Sequence, residues 1–137
     1  MSSNDSDRPG KDFSTSKHIT LGGKGEDLAK YFLEKKGYRV LEQNWRFRHK
    51  EVDIIAFKNK QLIVVEVKTR SGESFGYPEV SVNKAKQKHL AAAAEEYLYK
   101  KKLDLDVRFD VISITLTQPK PQIFHIEDAF FPHHWRP

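Results

Sequence analysis

Apolar residues first recur at helical spacing between Lys24 and Lys36. Leu28, Ala29, Phe32 and Leu33 form one stripe there, and Gly37 supplies a left-handed stop. The period then changes. Tyr38 to Phe47 reads as a strand, with Tyr38, Val40 and Leu41 apolar and Trp45 and Phe47 alternating with charges. Val52 to Phe57 and Leu62 to Val67 are short, largely β-branched runs around the polar stretch Lys58-Asn59-Lys60-Gln61, a pattern that predicts a hairpin. Both runs are apolar on both faces near the turn, which places the hairpin in the middle of a covered sheet.

A Gly/Ser-containing loop, Ser71 to Pro78, leads to a long helix from about Asn83 to Lys102. Leu90, Ala94, Tyr97, Leu98 and the stem of Lys101 share one of its faces. Val107 to Leu116 is a strand with Val107, Phe109 and Val111 on one side and Ile112, Ile114 and Leu116 on the other. Gln122 to Ile126 reads as a final edge strand. Helix, three strands, helix, one or two strands predicts an α/β fold, a mixed β-sheet flanked by helices.

The 137 residues suit one domain. Apart from Met1, residues 1–20 hold only Phe13 and Ile19 as large apolar side chains, too few to offset ordering entropy, so a disordered N-terminal tail is expected. The domain is then 21–131, and 132–137 a C-terminal tail. Cysteine is absent, and no stretch approaches the roughly 20 apolar residues of a membrane span. A cytoplasmic protein without membrane contact is the expectation. Lys and Arg outnumber Asp and Glu by 24 to 19, which suits a polyanionic partner such as nucleic acid and equally describes a solvated Lys-rich surface. Lys84, Lys86 and Lys88 crowd one helix start; Arg46, Arg48, His49 and Lys50 crowd one strand end.

The hairpin carries the candidate chemistry. A symmetric turn of two or four residues sets Asp53 opposite Glu66 and Glu51 opposite Lys68, all four side chains on one face. Opposed Cβ atoms lie roughly 4.5–5.5 Å apart, and two carboxylates at that spacing repel unless a cation lies between them. Mg²⁺, or Mn²⁺, answers that need, since it takes carboxylate oxygens and keeps several waters. The Val67 carbonyl is a further candidate ligand, and Glu51 another or a water-mediated one. Lys68 would set a cationic head beside an attacking water and a phosphate. An ordinary salt-bridged edge has the same residue types. Ile54, Ile55, Val64 and Val65, however, mark these strands as buried, where uncompensated charge is costly.

Asp53, then Glu66-Val67-Lys68, preceded by a helix bearing Gly25-Glu26, resembles the PD-(D/E)XK nuclease superfamily, with Val52 in place of that motif's proline. More narrowly, the chain resembles the uncharacterised bacterial YraN-like family, whose members are similar to archaeal Holliday-junction resolvases. The resemblance runs from about Leu21 to Phe130. It rests on Gly25-Glu26-Asp27-Leu28-Ala29, Lys36-Gly37-Tyr38, Glu51-Val52-Asp53-Ile54-Ile55-Ala56, Val65-Glu66-Val67-Lys68-Thr69-Arg70 and Arg108-Phe109-Asp110-Val111. Lys50 stands where the family usually has Gly. The resemblance implies a restriction-endonuclease-like fold and, through the superfamily, metal-dependent phosphodiester cleavage.

Glu26 is then a metal or water ligand, or else a carboxylate favoured by the helix dipole. Gln87, on the buried face of the second helix, meets a phosphate or water, or else a neighbouring strand. Lys84, Lys88, Arg48 and Arg70 are candidate phosphate contacts. Asp110 reads as structural, pairing with Arg108 or a loop amide. His133-His134 lack a framing carboxylate or cysteine and are set aside as a metal site. Phe130, Phe131 and Trp135 cover a sheet edge or a subunit contact. The expected activity is metal-dependent endonucleolytic cleavage of DNA, branched or structured DNA included. The alternatives are a nucleic-acid-binding protein on a nuclease scaffold and a protein-interaction subunit. A homodimer is expected only by analogy with resolvases, whose substrate is two-fold.

Overall fold

A computed structural model describes residues 21–71, 81–117 and 119–132. The expectations for residues 1–20, for most of the Ser71 to Pro78 loop and for His133, His134 and Trp135 fall outside them. Helix α1 (Leu21–Lys35) precedes strands β1 (Arg39–Phe47), β2 (Lys50–Lys58) and β3 (Gln61–Ser71). Helix α2 (Lys84–Lys101) and strands β4 (Asp106–Leu116) and β5 (Gln122–Ile126) follow. The strands form one sheet in the order β1-β2-β3-β4-β5. Only β3 and β4 run parallel, and α2 is the crossover such a pair requires. This is the expected α/β architecture, a mixed sheet flanked by two helices, consistent with a restriction-endonuclease-like domain.

Each face of the sheet buries one helix. Ala29 and Leu33 of α1 pack with Tyr38, Ile54, Ala56, Ile63, Val65, Ile112 and Ile114. On the opposite face Leu90, Ala91, Ala93, Ala94 and Tyr97 of α2 meet Val52, Ile55, Leu62, Val64 and Phe109. The double coverage explains why β2 and β3 lack simple apolar–polar alternation. Gly37 takes a φ of +89° just past α1, as a left-handed stop requires. Asn83 caps α2, its side chain accepting the Lys86 N–H at 2.8 Å.

The β2–β3 turn has the two residues Asn59 and Lys60, with φ of 50° and 64°, the twist-matched arrangement of a tight hairpin. Its register is the expected one from Lys58–Gln61 to Ile54–Val65, and there the ladder stops. Beyond that point β2 stays with β1 down to Lys50, while β3 stays with β4 to Ser71. The ladder thus never pairs Asp53 with Glu66 or Glu51 with Lys68, which corrects the cross-strand geometry read from the sequence. The cause lies at Asp53, whose Oδ2 accepts the Val67 N–H at 2.7 Å, so a side chain replaces a backbone partner.

Neighbouring positions mark the same break. Val52 and Ile55 belong to the α2 side but Ile54 to the α1 side, so strict alternation slips by one at Asp53. On β1, Gln43 pairs with Ile54 and Trp45 with Val52; Asn44 between them has a φ of 51° and no partner in the ladder. Such a conformation is far less costly for Asn than for most residues.

Candidate metal and nucleic-acid site

Where β2 leaves β3, three carboxyl groups come together from three elements. Glu26 lies in the second turn of α1, since the helix begins at Leu21 and has no acidic residue in its first turn. That weakens the helix-dipole reading of Glu26. Gly25 sets its position. A Cβ there would overlap Thr69 Oγ1, Cβ and Cγ2, so α1 crosses β3 more closely than any other residue type permits. Glu26 Oε1 accepts from Asn44 Nδ2 at 2.6 Å, which gives the left-handed Asn44 a direct link to the site. Burial raises the Glu26 pKa; the Asn44 bond opposes the rise, and the Asp53 and Glu51 charges reinforce it.

Asp53 is the most perturbed of the three. Burial pushes its pKa up to about 6; the Val67 N–H opposes this, the Glu66 charge adds to it, and the Lys86 ammonium lowers it again. Glu66, on β3, has a side chain only 13% exposed, and its Oε1 lies 3.6 Å from Lys86 Nζ. That oxygen is buried and has no hydrogen-bond partner. Oxygen donors in this number suit a hard divalent cation. In their present rotamers, however, Asp53 faces Val67, Glu66 faces Lys86 and Glu26 faces Asn44. Among the described residues no three His, Asp or Glu side chains are arranged to hold a metal ion as they stand. The donor set fits such a cation; the side chains would have to turn from their present partners to bind it.

The other expected residues divide between the rim and its surroundings. Glu51 pairs with Arg46 at 2.6 Å on the β1–β2 hairpin. Lys68 is exposed and, among the described residues, forms no ion pair. Lys84 and Lys88 are exposed on the first turns of α2. Arg48 sits at the β1–β2 turn with a φ of 61° and its guanidinium 5.2 Å from the Phe47 ring centroid. Arg70 is exposed, its Nε donating to Thr115 Oγ1 at 3.3 Å. Gln87 Nε2 donates to the Val82 carbonyl at 2.8 Å, so its amide is tied to the segment before α2 and not to a neighbouring strand. Sequence reasoning passed over two members of the site. Asn44 falls in step with the polar Glu42 and Arg46, so nothing in the local pattern marks it. Lys86 was visible only as one of three clustered lysines.

A second polar cluster lies toward the other end of α1. Fully buried Asp110 accepts two bonds from Arg108, at 2.9 and 2.8 Å, one from His125 Nε2 at 2.8 Å and one from the Asp128 N–H at 3.0 Å. Burial alone would raise the carboxyl, but the His125 and Arg108 bonds hold its pKa below the usual range. Both structural partners expected of Asp110, the arginine and a loop amide, are present.

No helix among the described residues is long and apolar enough to cross a membrane. Residues 25–114 match the family described as "Uncharacterised protein family UPF0102". A UPF0102 protein of Flavobacterium psychrophilum is 48% identical over 114 residues, spanning 83% of this chain and 96% of that one. One of Geobacter metallireducens is 46% identical over 112 residues, 81% of this chain and 92% of its own length. One of Alkaliphilus oremlandii is 43% identical over 113 residues, covering 80% and 97%. The resemblance to the YraN-like family therefore holds, and the chain belongs to the UPF0102 family.

Proposed function

We propose that this protein is a metal-dependent endonuclease that hydrolyses phosphodiester bonds in DNA, branched or otherwise structured DNA included. The observation that carries this reading is the gathering of Glu26, Asp53 and Glu66 where β2 leaves β3, with a buried Glu66 oxygen left without a hydrogen bond. A protein that merely needed a stable sheet gains little from gathering carboxylates there, because desolvating acidic groups side by side is costly even when each has a partner.

Asp53, Glu66 and the Val67 carbonyl are the residues to hold Mg²⁺ or Mn²⁺, with Glu26 and Glu51 able to bind through water. A divalent cation there would polarise a phosphoryl oxygen and make a neighbouring water more acidic. Lys68 on the rim offers its ammonium to the charge that builds on phosphorus-bound oxygen as the bond to the leaving oxygen breaks. Lys84 and Lys88 on one flank, and Arg48 and Arg70 on others, would hold backbone phosphates of the strand being cut, with Gln87 and its carbonyl behind them.

Duplex, flap, fork and four-way-junction DNA incubated with Mg²⁺ or Mn²⁺ test the proposal. Cutting of at least one substrate, lost with chelator and with Asp53→Ala or Glu66→Ala, is the expected result. No cutting of any substrate with either metal counts against it. A second reading, a nucleic-acid-binding protein on this scaffold, draws on the protein partner that each carboxylate already has. It requires binding that survives chelator and Glu66→Ala while falling steeply with salt.

A further inference from the structure

Lys86 occupies a poor place for a cation. Asn83 caps α2 by accepting the Lys86 N–H, which puts Lys86 in the first helical turn, where the macrodipole disfavours positive charge. That turn has no acidic residue, and Lys84 and Lys88 flank Lys86 on either side. Nothing on α2 near this turn offsets the charge. The offset comes from β3: Lys86 Nζ reaches across to Glu66 Oε1, with its own side chain 35% exposed and that of Glu66 13%. The contact is long, 3.6 Å, and leaves the carboxylate oxygen without a hydrogen bond. Lys86 is thus near enough to balance charge at the carboxylates but does not satisfy the oxygen it faces.

We propose that Lys86 is the resident counter-cation of this site, which a divalent metal must displace from Glu66, so that Lys86 sets the metal affinity. This rests on the metal-site reading above. A small divalent ion brings twice the charge and binds carboxylate oxygen directly, so it wins the exchange. It also takes up the oxygen that Lys86 leaves unsatisfied. The displaced ammonium is already partly exposed, its side chain 35% accessible, and turns to solvent. In the metal-free protein the same lysine offsets the repulsion between the half-buried Asp53 and Glu66.

Mn²⁺ binding by the full chain, measured by calorimetry in the absence of nucleic acid, tests this. The comparison is between wild type, Lys86→Met, Lys86→Arg and, as a control for net charge, Lys84→Met. Lys86→Met is expected to bind Mn²⁺ about tenfold tighter or more, with Lys86→Arg and Lys84→Met within about twofold of wild type. If Lys86→Met does not fold, Lys86→Gln keeps part of the stem and is expected to tighten binding likewise. Wild-type binding that is lost in Asp53→Ala yet unchanged or weakened in Lys86→Met overturns the role of Lys86 and leaves the metal site standing. Absence of Mn²⁺ binding in wild type and Lys86→Met alike overturns the metal site, and this inference with it.

Discussion

The Val67 N–H donates to Asp53 Oδ2 across 2.7 Å, and with that one bond the hairpin stops being a hairpin. A side chain has replaced a ladder partner, β2 and β3 part, and the acidic groups of three elements meet in the opening. The bond also has a thermodynamic consequence. It stabilises the Asp53 carboxylate, yet desolvation outweighs it, and the pKa rises to about 6.

The sign of that shift predicts how metal-free stability varies with pH. Below about pH 3.8 Asp53 is protonated in both folded and unfolded chains and contributes no difference. Between there and about pH 6 the unfolded chain has released its proton while the folded one retains it. Folding therefore loses up to about 3 kcal/mol as pH rises through that window, and the loss is complete above it. Asp53→Asn keeps an acceptor for the Val67 N–H and removes the ionisation. In chelator at pH 7.5 it should exceed wild type by about 2–3 kcal/mol in urea unfolding, with the gap closing toward pH 4.

Gly25 and Thr69 should behave as a coupled pair. Gly25→Ala forces its new methyl into the Thr69 side chain and should cost about 1–3 kcal/mol. Thr69→Ala removes the two outer atoms of that clash, Oγ1 and Cγ2. The double variant should recover part of the loss, a coupling read from a double-mutant cycle in denaturant. Strict additivity would contradict the close crossing of α1 over β3.

Asp110 should matter for stability and not for chemistry. Asp110→Ala removes the carboxylate shared by Arg108 and His125, leaves Arg108, among the described residues, only the longer ion pair with Glu127, and should cost about 2–4 kcal/mol. Because its folded pKa lies below the ordinary value, its stabilising contribution is present above about pH 4 and fades as pH falls through the folded value. A melting experiment on the variant at pH 7 checks the first statement; a wild-type titration below about pH 4, where Asp53 is protonated in folded and unfolded chains alike, checks the second and should show stability falling.

Much of the fold was legible because period and turn chemistry agree with tertiary packing. The segment Asn59-Lys60 does form the turn, Gly37 does stop α1, and Gln122–Ile126 does form the last strand. The hairpin register was legible through Ile54 and Val65 because both side chains are buried on the α1 face of the sheet. It failed one residue later, where a side-chain bond to Val67 overrides the pleat and moves Asp53 out of step with its neighbours. Asn44 and Lys86 were missed for the same reason. Their roles come from where α1 and α2 cross the sheet, at Gly25 on Thr69 for α1 and at Lys86 on Glu66 for α2. No local pattern encodes such a crossing.

Nucleic-acid binding should follow counterion release. Lys84 and Lys88 are exposed on the first turns of α2, so, if they face nucleic acid as proposed, Lys84→Ala and Lys88→Ala should each reduce the slope of log affinity against log salt by about one, whatever the DNA sequence. Binding measured between low and moderate salt in chelator separates this surface from the carboxylates. An unchanged slope in both variants would remove α2 from the interface.

Lys68 offers the most direct measurement of the central claim, because its side chain is exposed and, among the described residues, forms no ion pair. Lys68→Ala should fold with stability within about 0.5 kcal/mol of wild type. Single-turnover cleavage of a four-way junction in Mn²⁺ should nonetheless fall by roughly 10²–10³-fold, with Asp53→Asn inactive beside it. Cleavage by Lys68→Ala or Asp53→Asn at the wild-type rate would contradict a hydrolytic site at this opening.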